Sequence, residues 1–326
     1  MNLLPNFSVG TAAPTFICVG AEKSGTTQLY DCLSAHPDIF MSPIKETHFF
    51  STDVRVENFR GDYAKHESQK HFDIQEYFSS VPLAEIWEAY LSNPEHYLRL
   101  FTDGSEHAAR GEVCNSYLYS AEAVSNINDS LPDVKVLVIL RNPIHRAFSQ
   151  YRAMVRDGRT EKDNLIDEVH FDMQFADRRW GSCHGYIEHG LYSSQLQRLY
   201  SVFSPARVQI VLAEDFFASR QQVFDGICEH IGVAHFALDS NIDNRNRSLV
   251  PRNAGLIKLV SRTGVKGRLA SLLPAKGKKW LKELFFESDK AELLTEEYEF
   301  LHKFFVADVE RTSTILQRDL SGWLKY

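Results

Sequence analysis

Residues 23–27 read Lys-Ser-Gly-Thr-Thr and follow the apolar run 16–19 across a short loop flanked by Gly20 and Gly25. Backbone N–H groups of such a loop, running into a helix start at Thr26, converge on an anion. The hydroxyls of Ser24, Thr26 and Thr27 add donors, and Lys23 adds a full charge. In a phosphate loop of the G-x-x-x-x-G-K-[ST] type the lysine follows the second glycine. Thr26 holds that position here, so the cation sits on the loop itself. A second stretch, 140–152, reads Leu-Arg-Asn-Pro-Ile-His-Arg-Ala-Phe-Ser-Gln-Tyr-Arg. Asn142 is a good N-cap and Pro143 suits the first helical position. Arg141 then stands at a strand's mouth and Ser149 two turns into the helix, placed to grip a phosphate lying across the helix start. Of the other cations on that helix, Arg146 and Arg152, the latter reads as a solvated surface charge.

These residues need strands and helices to hold them. Three nearly continuous apolar runs, 15–20, 134–141 and 207–215, read as strands buried on both faces of a parallel sheet. A helical pattern follows each. Leu29, Cys32 and Leu33 share a face over 26–36, and Ile144, Phe148, Tyr151 and Val155 share one over 144–157. Over 219–231, Val223, Phe224, Ile227 and Ile231 do the same. The repetition predicts a doubly wound α/β fold with ligand at the carboxyl ends of the strands. Residues 51–80 predict a surface loop with short helices. Residues 157–190, with seven carboxylates from Asp157 to Asp177 beside a glycine-containing turn, predict a lid or insertion over the site. From Pro251 onward the pattern is helical, ending in a helix near 290–320 with Leu293, Leu294, Leu301, Phe305 and Val309.

The 326 residues, 44% hydrophobic, suffice for one large domain over 1–326, with insertions at about 51–100 and 157–190 and a helical part at about 251–326. A net charge of −7 disfavours nucleic acid and anionic membranes as partners. The five cysteines, Cys18, Cys32, Cys114, Cys183 and Cys228, are odd in number and form no C-x-x-C pair. That argues against a disulfide framework or a zinc site and for a reducing compartment. His184 and His189 near Cys183 fit no standard metal spacing. The N-terminal stretch lacks a signal-peptide pattern, and no segment approaches a membrane span, so a cytoplasmic protein is expected.

The stretches "EKSGTTQL" and "LRNPIHRAFSQY" resemble the two signatures of sulfotransferases that use 3′-phosphoadenosine 5′-phosphosulfate (PAPS). The similarity continues through "RGEVCNSYLYS", "GLYSSQLQRLYSVF" and "VLAEDFFASRQQVFDGICEHIGV", to about residue 235, and is closer to the heparan and bacterial branch than to the cytosolic steroid and phenol branch. The resemblance implies a P-loop nucleotide-kinase-like α/β fold with a central parallel sheet flanked by helices. It implies PAPS as donor and 3′,5′-phosphoadenosine (PAP) as product, with no metal. Lys23, Ser24, Gly25, Thr26 and Thr27 would hold the 5′-phosphosulfate, and Arg141 and Ser149 the 3′-phosphate. Lys23 would stabilise charge on the leaving phosphate. Tyr192 matches a tyrosine of the family's nucleotide pocket. Arg252, with Arg245 and Arg247, would close over the nucleotide. Glu22 departs from the family, where many relatives carry proline.

Sulfuryl transfer needs a base near the acceptor. In "SPIKETHFFS", Glu46 and His48 both qualify, and an extended chain places them on one face. Glu46 falls where the heparan-type branch has its glutamate. The steroid and phenol branch uses a histidine, so His48 stands as the alternative base or as partner of Glu46. Glu112 matches the family's Glu-Lys-Ser/Thr strand, but Val113 replaces the lysine, which argues against a heparan-like polyanion as acceptor. The acidic 157–190 segment favours a neutral or cationic small-molecule acceptor, with a carbohydrate or glycolipid as the alternative. A P-loop kinase is the competing enzyme class, lacking its lysine after Gly25 and with only Asp215 as a candidate metal carboxylate. A non-catalytic nucleotide-binding module is the third reading, disfavoured by the presence of both Glu46 and Lys23.

Overall fold

The computed structural model describes residues 4–7, 12–68, 72–239, 249–251, 286–288 and 291–326. Strand β1 (Phe16–Cys18) runs through the glycine-flanked loop into α1 (Thr26–Ser34), followed by β2 (Ile39–Met41) and β3 (Ile44–Glu46). Helices α2 (Gly61–Ser68) and α3 (Ile74–Ser79) precede β4 (Ile86–Glu88), α4 (Pro94–Arg99) and β5 (Ala109–Val113). After α5 (Ser116–Tyr119) and α6 (Ala123–Ser130) come β6 (Lys135–Leu140), α7 (Pro143–Asp157) and α8 (Leu165–Asp172). The chain continues through α9 (Tyr192–Val202), β7 (Val208–Leu212), α10 (Ala213–Ala218) and α11 (Arg220–Ile231). Strands β8 (Leu249–Pro251) and β9 (Phe286–Ser288) pair antiparallel, and α12 (Thr295–Leu316) follows.

Five strands form one parallel sheet in the order β2-β5-β1-β6-β7. β1 lies at its centre, with Phe16 opposite Gly111 on one side and Lys135 on the other. Alternate residues serve opposite faces, and both faces are covered, which is why β1, β6 and β7 read as nearly continuous apolar runs. Ile17, Val136, Val138 and Leu140 join the core packed by α6, α7, α9 and α12. Phe16, Cys18, Leu137 and Ile139 join the core packed by α1 and α11, with Leu29, Leu33, Phe224 and Ile227. A Cβ on Gly111 would lie 2.1 Å from the Phe16 ring, so glycine is what lets β5 and the ring approach. Each large side chain fully buried this way contributes roughly 1.5–3 kcal/mol.

Several expectations shift. The third apolar run ends its strand at Leu212, and Ala213 to Asp215 already belong to α10. The stretch 42–51 is extended only to Glu46, because His48 takes a positive φ of 52°. Pro251 ends a strand rather than starting helices, while 252–285 lie outside the described residues. Leu301, Phe305 and Val309 are buried on α12 as the periodicity requires, but Leu293 and Leu294 precede the helix and Leu294 is exposed. No helix of the described residues is long and apolar enough to cross a membrane.

Candidate active site

The loop between β1 and α1 begins as a continuation of the sheet. Val19 and Ala21 donate their N–H groups to Leu137 and Ile139 of β6, at 3.0 and 2.7 Å, and Gly20 accepts from Ile139 at 2.8 Å. Positive φ angles at Lys23 (61°) and Gly25 (102°) then turn the chain into α1. Gly25 is the N-cap, carries no capping side chain, and the first turn of α1 holds no acidic residue, so the helix start favours an anion. Ser24 and Thr26 are buried, and Lys23, Gly25 and Thr27 are half-buried. Burial pulls the Lys23 ammonium below the ordinary lysine range, and the Glu22 carboxylate beside it only partly offsets this.

Arg141 stands directly after β6, as the sequence predicts, and Asn142 caps α7 by accepting from the N–H groups of Ile144 (2.9 Å) and His145 (3.4 Å). The Arg141 guanidinium donates to the Lys23 carbonyl at 3.2 Å, joining the two motifs. Ser149 sits half-buried on α7. Tyr192 braces the arrangement from α9. It is almost wholly buried beside the Ser24 hydroxyl, and its phenol donates to the Arg141 carbonyl at 3.0 Å. Arg245, Arg247 and Arg252 lie outside the described residues.

Arg146 is fully buried. It donates to Gln150 at 2.7 Å and to the Tyr186 carbonyl, and lies 4.0 Å from Glu22. Glu22 in turn faces His189 Nδ1 at 2.9 Å. Burial raises the Glu22 carboxyl, but the His189 hydrogen bond and the charges of His189, Arg146 and Lys23 outweigh it and hold it below the ordinary value. The residue that replaces the family's proline is thus anchored to the 157–190 segment. A pairing across 167 positions leaves no local signal in the sequence.

Glu46 and His48 converge despite the turn between them. Glu46 Oε2 accepts from the Asn115 N–H and Oε1 from Asn115 Nδ2, both at 2.7 Å, while Lys45 Nζ approaches Oε1 at 2.5 Å. His48 has both ring nitrogens engaged: Nδ1 with Ser116 Oγ at 2.8 Å and Nε2 with Glu88 Oε1 at 3.2 Å. Its ring stacks on Tyr90 at 4.3 Å and meets Trp180 at 5.8 Å. Burial opposes protonation of His48, but the Cys114 sulfur and the Glu88 carboxylate outweigh it and hold its pKa above the ordinary imidazole value. Glu112 is fully buried behind the segment, accepting from Thr47 Oγ1 (2.6 Å), Tyr97 (2.6 Å) and Tyr117 (3.2 Å). It fixes Thr47, and with it the two residues on either side. Lys45 and Asn115 carry no signal of this role in the sequence, although both lie inside the motif stretches "SPIKETHFFS" and "RGEVCNSYLYS".

The acidic 157–190 segment is largely neutralised from within. Asp172 pairs with Arg178 and accepts from the N–H groups of His184 and Gly185; Asp177 pairs with Arg179, and Asp157 with Arg156. Fully buried Glu168 accepts from the N–H groups of Glu161 and Lys162. This removes the charge argument for a neutral or cationic acceptor, since a count of carboxylates does not reveal their partners. The segment does reach the site, because Trp180 stacks on His189 and touches His48.

A family model described as "Sulfotransferase family" matches residues 14–237. The chain belongs to the sulfotransferase family. Carbohydrate sulfotransferase 15 of Homo sapiens is 22% identical over 227 residues, covering 65% of this chain and 38% of that protein. Bifunctional heparan sulfate N-deacetylase/N-sulfotransferase 4 of Mus musculus is 24% identical over 229 residues, covering 68% and 22%. The match therefore spans less than half the length of these curated relatives. Among solved structures, a sulfotransferase from Alicyclobacillus acidocaldarius is similar with a TM-score of 0.68 and 28% identity, covering 96% of this chain and 99% of that one. These matches agree with the heparan and bacterial branch that the motifs of this sulfotransferase-family chain resemble, and with its parallel α/β sheet.

Proposed function

We propose that the chain is one domain that moves a sulfuryl group from PAPS to a hydroxyl or amine of a small-molecule acceptor by in-line displacement. The observation that supports this is the Arg141 to Lys23 contact at 3.2 Å, which brings the loop before α1 and the Arg141 cation together at the ends of neighbouring strands. Such a pair suits a nucleotide with phosphates at both ends of its ribose. Glu46 takes the acceptor's proton as the acceptor bonds to sulfur and the bond from sulfur to the 5′-phosphate breaks. Lys23 and the loop N–H groups meet the charge left on that phosphate, the part that Mg²⁺ plays in phosphoryl transfer. His48 positions the Glu46 segment, a role supported by the engagement of both its nitrogens.

A carbohydrate or glycolipid acceptor is the second reading, favoured by the carbohydrate and heparan sulfate sulfotransferases among the relatives. The kinase reading has less support, because Asp215 is spent on Arg318 in a two-point pair at 2.6 and 2.8 Å. A reducing setting is in keeping with the five free, buried cysteines. The test is a screen of phenolic, alcoholic, amine and saccharide acceptors with radiolabelled PAPS in the presence of EDTA. Label transfer to a small-molecule acceptor under chelation is expected. Transfer only to saccharides would shift the acceptor to the second reading. No label transfer from PAPS, together with Mg²⁺-dependent transfer from radiolabelled ATP that EDTA abolishes, would favour the kinase.

A further inference from the structure

Beside the proposed base lie a thiol and an imidazole. Glu46, His48 and Cys114 each offer one ligand atom, and these atoms all lie within 4.8 Å of one another. We propose that the three form a binding site for a borderline divalent cation, Zn²⁺ above all, and that its occupancy silences the enzyme. The silencing rests on the reading of Glu46 as base; the site itself rests on the donors alone.

Carboxylate, imidazole and thiolate are the side chains that Zn²⁺ prefers, and three protein ligands with a fourth position left to water is a standard coordination. Donor atoms around a tetrahedral Zn²⁺ lie roughly 3.6 Å apart, given bond lengths of about 2.0–2.3 Å. Cys114 Sγ and His48 Nδ1 are 3.8 Å apart, so that edge is already set. The outer shell is built as well. His48 Nε2 faces Glu88 Oε1 at 3.2 Å, the arrangement in which a ligating histidine turns its other nitrogen to a carboxylate and frees Nδ1 for the metal. Asn115 orients the Glu46 carboxylate from its backbone and its side chain, both at 2.7 Å. Three bonds to Glu46 leave one of its roughly four lone-pair positions for a cation.

The charges close. Lys45 and Zn²⁺ together balance the carboxylates of Glu46 and Glu88 and the thiolate of Cys114. Binding forms metal bonds to sulfur, nitrogen and oxygen, releases two protons to solvent, one from the Cys114 thiol and one from Nδ1 of the His48 imidazolium, and displaces the Ser116 hydroxyl from His48 Nδ1. The carboxylate that would take the acceptor's proton then holds a metal instead.

Titration with Co²⁺ alone, followed by the thiolate-to-cobalt charge-transfer band, tests the site without any turnover. Wild-type protein should show the band at one equivalent. Cys114→Ser, which keeps a hydroxyl in place of the thiol, should lack it. Glu88→Gln, at a part-exposed position, should keep the band but need roughly 10- to 100-fold more metal. In turnover assays, Zn²⁺ should inhibit wild-type enzyme reversibly by EDTA, with Cys114→Ser active and resistant. No band, or an equal band in Cys114→Ser, overturns the site. A band without Zn²⁺ inhibition of a working enzyme overturns the silencing. If no acceptor is ever sulfated, the functional reading fails, while the cobalt titration still decides the site.

Discussion

Glu46 accepts from Asn115 and Lys45 and has one lone-pair position left, whereas His48 is clamped between Ser116 and Glu88. A base must have somewhere to put a proton, and the imidazole, its pKa raised by Cys114 and Glu88 against its burial, has none free. Glu46→Gln keeps the shape and removes the basicity. It should lower turnover by about 10²- to 10⁴-fold with PAP affinity nearly unchanged. His48→Ala should cost less, acting through the Glu46 segment. Steady-state kinetics with parallel PAP binding decide it. A near wild-type Glu46→Gln alongside a dead but PAP-binding His48→Ala would make His48 the base. Both candidates were legible from their residue types and from the motif. Cys114, Asn115 and Glu88 were not linked to them, because Glu88 arrives from β4 and Cys114 and Asn115 from the turn after β5, all distant in sequence.

At the scale of elements, the proposed anion loop needs a chain that can turn sharply between β1 and α1. Gly25 has φ of 102°, and a Cβ there would meet the Phe217 ring at 3.0 Å. Gly25→Ala should therefore cost roughly 1–3 kcal/mol of stability and weaken PAP binding. Urea denaturation and calorimetry check both, and unchanged PAP affinity would mean that the loop does not hold the nucleotide. Behind the site, burial lifts the Glu112 carboxyl to about 7, against the hydrogen bonds from Thr47, Tyr97 and Tyr117. The folded protein then holds a proton that the unfolded chain releases near 4.5. This contribution to stability is complete below that value and is lost as pH rises through about 7, on the order of 3 kcal/mol in all. Glu112→Gln should remove that slope, so its stability relative to wild type should improve between pH 5 and 8; parallel slopes would contradict the buried charge. Three of the five sheet strands, β1, β6 and β7, were legible because burial on two faces makes a run apolar throughout, whereas β5 carries Arg110 and Glu112 and gives no such run. β4 was not, since Ile86–Glu88 is three residues long with an exposed Trp87 at its centre.

Across the whole molecule, the chain leaves β1 toward β2 and β5 on one side, and later toward β6 and β7 on the other. Ligands bind where a sheet divides in this way, outside the carboxyl ends of its strands. Lys23 follows β1 and Arg141 follows β6, so the two cations straddle that division. The net charge of −7 left this local basic pair invisible to any argument from composition. The carboxylates of 157–190 misled in the opposite direction, because their arginine and backbone partners appear only on folding. Calorimetric titration of the wild-type protein and Arg141→Ala with PAP and with AMP is the most direct test of the two-anion site. PAP should bind wild type at least about 100-fold more tightly than AMP, since charge-assisted bonds to a second phosphate are worth several kcal/mol. Arg141→Ala should lose most of that preference and keep its fold. Equal affinity of the wild-type protein for PAP and AMP would contradict the account.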